Sequence, residues 1–182
     1  MKRGKFIAFL GLTGILVCVT GFVVVLFLQT PNANKKIAAW MMHADYLGSE
    51  GVLLQTKRNN CGSSALKMVF DHYHVSSTLQ EIEGKVGLTE KGSSMLALKD
   101  MAELKGLKAE GWQFIPEDFL RSAFPSILFV NKDHFVVADS ISAVGDIYLR
   151  DPAIGKLRIA KQKLHRIWEG ETLIFKKDKD SP

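Results

Sequence analysis

Residues 6–28 contain neither a charged side chain nor a proline, and this run divides the chain into two parts that cannot share one fold. A helix of that length, at about 1.5 Å per residue, crosses the ~30 Å hydrocarbon core of a bilayer. The expected organisation is therefore a cytoplasmic tail (1–5), a transmembrane signal-anchor helix (6–28), a tether (29–50), a folded domain (51–176) and a solvated tail (177–182). Lys2, Arg3 and Lys5 before the helix favour retention of the short tail in the cytoplasm and export of the rest, with Lys35 and Lys36 as a weaker opposing signal. A cleaved signal peptide would have a shorter apolar region, and Cys18 follows Val17 where a lipoprotein signal needs a small residue.

Charge and cysteine usage narrow the possibilities further. Five of the 24 basic residues lie in residues 1–36 with no acidic partner, so the remaining 19 equal the 19 acidic residues of the rest of the chain. The net charge of +5 belongs to the membrane flanks, and no nucleic-acid partner is expected. With Cys18 in the membrane run and Cys61 beyond it, no intrachain disulfide can staple the domain, which must rely on an ordinary core.

Periodicity orders the domain. Val52 to Gln55 reads as a short strand. Residues 62–74 set Ala65, Leu66, Met68, Val69 and Phe70 at helical spacing. Ser77 to Gln80 has capping-box spacing and opens a second helix, and a third begins near Ser93 and Ser94 and stops at Gly106. Strands follow at 107–114, 126–131, 134–139, 146–151, 157–160 and 172–175, with helical turns at 116–122 and 161–168. Helices first and an antiparallel sheet second is an α+β order.

Cys61 follows a polar turn, Gln55-Thr-Lys-Arg-Asn-Asn, and begins the first of these helices. There it meets unpaired backbone N–H groups and the positive end of the helix dipole, which favour thiolate, the nucleophilic form. The bland alternative is a small buried apolar residue. A partner is expected from the hairpin of residues 134–139 and 146–151: if Asp139 faces Asp146 across the turn, His134 lies opposite Asp151. Cross-strand Cβ atoms about 4.5–5.5 Å apart would let the carboxylate hold the imidazole. In that register one face carries His134, Val136 and Ala138 against Asp151, Leu149 and Ile147, the apolar set expected to be buried.

The other histidines serve less well. His72 and His74 lie on the helix that Cys61 begins, about 16–20 Å along it. His43 falls in the tether and His165 in a late amphipathic turn. Gln55 can donate its side-chain N–H toward an oxyanion together with the backbone N–H at the helix start. No Cys or His cluster has metal-ligand spacing, and neither a metal nor another cofactor is expected.

The array of Gln55, Cys61-Gly, His134-Phe-Val-Val, Asp151-Pro-Ala-Ile-Gly155 and Trp168-Glu-Gly-Glu-Thr-Leu-Ile-Phe175 resembles the papain-like double-glycine leader peptidases, the bacteriocin-processing cysteine peptidases often fused to peptide-exporting ABC transporters. The resemblance covers about residues 50–175. It implies a papain-like fold with N-terminal helices packed on a C-terminal antiparallel sheet. It also implies Cys61 as nucleophile, His134 as base and then acid, Asp151 as its orienter, Gln55 as oxyanion donor, and a peptide precursor cut after Gly-Gly or Gly-Ala. Two departures are visible. Asn60 stands where such peptidases commonly carry Asp. The expected topology also places this domain on the periplasmic or extracellular side of a bacterial cytoplasmic membrane, whereas transporter-fused relatives cut on the cytoplasmic side. The expected protein is a membrane-anchored cysteine endopeptidase of exported peptide or protein precursors, with an export apparatus as a candidate partner. Two alternatives are an idle module that binds leader peptides in the same groove and a cysteine amidase acting on cell-wall peptides.

Overall fold

The computed structural model describes residues 18–26 and 29–177. Most of the apolar run 6–28, and the tail 178–182, lie outside the described residues. No helix among the described residues is long and apolar enough to cross a membrane. The chain divides into two units at Ile37 and Ala38. In the first, residues 18–26 form helix α1 with exposed side chains. Helix α2 (Ala33–Met41) crosses the division.

The second unit is built on one seven-stranded sheet, every neighbouring pair antiparallel. Its strands are β1 (Asp45–Gly48), β2 (Leu107–Gln113), β3 (Ser126–Val130), β4 (His134–Ile141), β5 (Ile147–Asp151), β6 (Gly155–Ile159) and β7 (Trp168–Lys177), in the spatial order β1-β6-β5-β4-β3-β7-β2. Helices α3 (Cys61–His72), α4 (Leu79–Lys85) and α5 (Met95–Leu104) precede the main sheet strands, while α6 (Pro116–Phe119) and α7 (Lys161–Leu164) are single turns between them. This is the α+β order expected.

Helix α3 lies against β4, with α4 and α5 beside it. Ala65, Leu66, Val69 and Phe70 are fully buried on its inner face, and the polar first turn of Gly62, Ser63 and Ser64 is buried as well. The helix ends in a Schellman motif: His74 adopts φ 59°, its N–H donates to the Asp71 carbonyl at 3.2 Å, and the Val75 N–H reaches the Phe70 carbonyl at 2.8 Å. The Tyr73 hydroxyl then donates to the Phe175 carbonyl at 2.9 Å, tying the helix end to β7. Caps begin the other two helices. Thr78 Oγ1 accepts from the Glu81 N–H and Ser94 Oγ from the Ala97 N–H, so the cap of α4 sits one residue beyond the expected Ser77.

Both faces of the sheet are covered. Ile127, Phe135, Val137, Leu173 and Phe175 pack with the α3 side, while Leu128, Val136, Leu149, Leu157 and Trp168 form a second core with Phe119 and Leu164. Burial of Phe135 and Val137 overturns the expectation that only the alternate set of β4 faces inward. A strand buried on both faces carries no polar alternation from which to read its register.

Several local expectations are corrected. Residues 38–50, expected as tether, supply Ala39, Met42 and Ala44 to the second core and strand β1 to the sheet edge. That edge pairing places a polar, mixed segment on the open side of β6, where its charges remain solvated, as in the Arg158–Asp45 ion pair. Residues 52–55 are not a strand, although the Gln55 N–H donates to the Pro152 carbonyl at 2.8 Å. The last helix stops at Leu164, and β7 starts at Trp168 rather than 172, because Trp168 already pairs with Val130 of β3 and Glu171 with Gln113 of β2.

The hairpin register also differs. Val137 pairs with Arg150 and Ala138 with Leu149, a bulge follows, and Ile141 pairs with Ile147. The turn is wider than expected, with the Ser142 N–H on the Asp146 carbonyl at 2.8 Å and the Gly145 N–H on the Ser142 carbonyl at 2.9 Å. Arg150 grips Asp139 at the bulge through two nitrogens at 2.6–2.9 Å. His134 and Asp151 are therefore not directly opposite each other.

Candidate active site

Cys61 occupies the first position of α3 and is 6% exposed. It borders a cleft of about 630 Å³ whose other walls include Asn59, Gly92, Ser93, Phe129 and Phe135. The Phe129 and Phe135 rings lie 4.9 Å apart along that wall. Glu90, Lys91 and Gly92 line the cleft from a tight turn, Thr89 to Gly92, closed by reciprocal backbone bonds of 3.2 and 2.9 Å. Asn59 Nδ2 donates to the Thr89 carbonyl at 2.7 Å, which fastens that turn to the segment before the cysteine.

The imidazole comes from the first residue of β4. His134 Nε2 lies 2.9 Å from Asp151 Oδ1, and the ring is close enough to Cys61 for each to shift the other's titration. A carboxylate can only accept, so Nε2 carries the proton toward Asp151 and Nδ1 remains for the thiol. Despite the corrected register the contact survives, because Asp151 lies on the diagonal from His134 on the same side of the hairpin, within reach of both side chains.

Asp151 is oriented by its own turn. Its Oδ1 also accepts the backbone N–H groups of Ala153 at 2.7 Å and Ile154 at 3.2 Å, while Oδ2 is buried without a protein partner. Gly155 closes the turn at φ 133°. A Cβ there would collide with the Gly48 carbonyl oxygen, so glycine is required at this position.

Charge settles into the pair in one direction. Burial pushes the Cys61 thiol up, but the hydrogen bond and charge of His134, with the Phe135 and Gly62 backbone N–H groups, bring it below its ordinary value. Burial lowers His134, yet the bonds to Asp151 and Cys61 outweigh it and raise the imidazole to about 10. Both shifts favour thiolate beside imidazolium, the state in which a cysteine attacks carbonyl carbon without first losing a proton.

Three of the four expected site residues, Cys61, His134 and Asp151, are thus brought together. Gln55 is placed nearby by its backbone bond to Pro152, the residue after Asp151, but its side chain has other partners. Its Nε2 donates to the Lys57 carbonyl at 3.0 Å and toward that of Arg58 at 3.4 Å, and its Oε1 is buried without a partner. Asn60 caps α3 without a side-chain bond to the helix and turns instead to Thr56, Lys57 and Glu83. The sequence does not foreshadow the parts played by the Phe135 N–H and by Glu83. The first is signalled only by its place after His134, whereas nothing local to Glu83 marks it.

Residues 49–180 match the profile of the peptidase C39 family. An uncharacterized protein of Methanothermobacter thermautotrophicus is 28% identical over 134 residues, spanning 74% of this chain and 94% of its own. The lactococcin-G-processing and transport ATP-binding protein LagD of Lactococcus lactis is 25% identical over 134 residues, spanning 70% of this chain but only 19% of LagD. Among solved structures, a double glycine motif protease from an AMS/PCAT transporter, in complex with the leader peptide, superposes with a TM-score of 0.67 at 29% identity. That match covers 74% of this chain and 99% of the other.

Proposed function

The chain belongs to the peptidase C39 family, the papain-like double-glycine leader peptidases, and is a cysteine peptidase; from that premise we propose that it is a membrane-anchored endopeptidase that cuts exported peptide or protein precursors after a Gly-Gly type leader. The observation that carries this reading is the Cys61–His134–Asp151 constellation at the edge of an open cleft.

In the proposed reaction the Cys61 thiolate attacks the carbonyl carbon of the leader's last residue. The oxyanion is met by the backbone N–H at the start of α3 and by Gln55, whose Nε2 must turn one hydrogen from its loop carbonyls toward the cleft. His134 gives its Nδ1 proton to the leaving amine, which departs with the mature product, and the leader remains as a thioester on Cys61. Water, losing a proton to His134, attacks the thioester and restores the thiolate. Asp151 holds the imidazole through Nε2 in both steps.

The membrane reading is supported by the uncharged run 6–28 and the basic residues before it. It would put the cleft on the exported side, beside whatever apparatus delivers the precursor. A C-terminal reporter active only outside the cytoplasm should be active, and activity of a cytoplasm-only reporter would overturn this placement.

The peptidase reading is tested with the full-length protein, its Cys61→Ala variant and precursor peptides carrying Gly-Gly. Cleavage after the second glycine by the parent alone is expected. Equal cleavage by both proteins, or binding by both without cleavage, would defeat it. Preferential hydrolysis of purified cell-wall peptides would favour an amidase.

A further inference from the structure

Asn60 immediately precedes the cysteine and is fully buried. Every polar group of its amide faces the loop before it or the neighbouring helix. Oδ1 accepts the Lys57 backbone N–H at 3.2 Å, and Nδ2 donates to Thr56 Oγ1 at 3.3 Å and to Glu83 Oε1 at 2.7 Å. Glu83 comes from α4, 23 residues away, and its side chain is only 13% exposed. Its second oxygen meets Lys57 Nζ at 2.5 Å.

One carboxylate therefore holds the loop of residues 56–60 at two points, the Lys57 ammonium and the Asn60 amide. That loop is the whole connection between Gln55 and Cys61. It also provides the carbonyls of Lys57 and Arg58 on which the Gln55 amide rests.

The polarity of the arrangement is dictated by chemistry. A carboxylate only accepts, so the group at position 60 must donate toward Glu83, while the Lys57 N–H only donates, so the same group must accept there. An amide does both. A carboxylate at position 60 would set two acceptors against each other in a buried site, and an aliphatic side chain would leave both neighbours unmet.

We infer that Glu83 is a positioning residue for the peptidase reaction: through Asn60 and Lys57 it holds the loop that sets the Cys61 thiol relative to Gln55. This rests on the reading of Cys61 as the nucleophile. Glu83 touches neither the thiol nor the imidazole, so its loss lowers turnover through misplacement of the reacting groups. Displacements of about 1 Å from remote changes cost up to roughly a hundredfold in rate.

The test uses the full-length chain carrying Cys18→Ala, which leaves Cys61 as the sole thiol. Glu83→Gln, Glu83→Ala, Asn60→Asp and the double variant Asn60→Asp/Glu83→Gln are compared with this parent. Two quantities are measured: kcat and KM on a Gly-Gly precursor peptide, and the rate of Cys61 alkylation by iodoacetamide at neutral pH, which needs no substrate. Glu83→Gln keeps an acceptor for Asn60 but sets its NH2 toward the Lys57 ammonium, so it should fall between the parent and Glu83→Ala. Glu83→Ala and Asn60→Asp should each lose roughly tenfold or more in kcat with KM nearly unchanged. In the double variant the new amide at position 83 can donate to the new carboxylate at position 60, and most of what Asn60→Asp lost should return. Because Asn60→Asp and the double variant carry the same aspartate beside the thiol, the difference between them isolates position 83. A double variant no better than Asn60→Asp, or a fully active Glu83→Ala, would overturn the inference. Should the parent itself fail to cleave while alkylation still follows this order, the peptidase reading falls and the positioning role stands. Should the parent cleave with both measurements indifferent to position 83, the reverse holds.

Discussion

His134 Nε2 lies 2.9 Å from Asp151 Oδ1 although the two residues are not paired across the β4–β5 hairpin. The contact is diagonal, and it depends on a bulge between Ala138 and Ser140 and on an Asp-Pro turn that aims the carboxylate toward the imidazole. The orientation of the proposed general base is thus a property of the turn as much as of the sheet.

Replacing Asp151 should consequently damage two things at once. In Asp151→Ala the imidazole loses its partner and the Ala153 and Ile154 N–H groups lose their acceptor. We expect kcat to fall by roughly 10²–10⁴ and stability by about 1–3 kcal/mol. Asp151→Asn, which keeps an oxygen where all three donors converge, should be milder in both. Steady-state kinetics with urea unfolding checks this, and equal losses in the two variants would contradict it.

The reactivity of Cys61 should depend on His134 in a definite direction. The wild-type thiol is held below its ordinary value, so alkylation by iodoacetamide should show its pH midpoint below that of a free cysteine. In His134→Ala the hydrogen bond and the charge that favour thiolate vanish while burial, which favours the thiol, persists. The midpoint should therefore move upward and the rate at neutral pH fall. A midpoint unchanged by this substitution would mean that His134 does not stabilise the thiolate.

Gln55 offers a sharper separation of roles. If its amide serves the oxyanion, Gln55→Ala should lower kcat by about 10²–10³ and leave KM nearly constant. If it only braces the Lys57 and Arg58 carbonyls, the principal effect should be a lower melting temperature with kcat within a fewfold of wild type. Parallel kinetics and thermal unfolding distinguish the two outcomes.

Gly155→Ala should be poorly tolerated although it adds one carbon. The φ of 133° and the close approach of the Gly48 oxygen admit no side chain without moving β1 or the Asp151 turn. A loss of about 2–4 kcal/mol is expected, visible as a lower melting temperature. Because the same turn carries Asp151, a parallel drop in kcat should accompany it. A variant as stable as wild type would show that β1 yields without cost.

Features set by neighbours along the chain are legible in the sequence alone. Helical spacing from Ala65 to Phe70 puts Cys61 at a helix start, and Asp151-Pro-Ala-Ile-Gly155 announces a tight turn. The order of Gln55, Cys61, His134 and Asp151 points to the chemistry. These rest on short-range physics: a 3.6-residue period, a cap and a φ that glycine tolerates. The β4–β5 register, the recruitment of residues 45–48 as an edge strand and the grip of Glu83 on Asn60 are decided only by tertiary structure. A sheet buried on both faces hides its register from sequence alternation, and a contact between residues 23 apart forms only once α4 has packed beside α3.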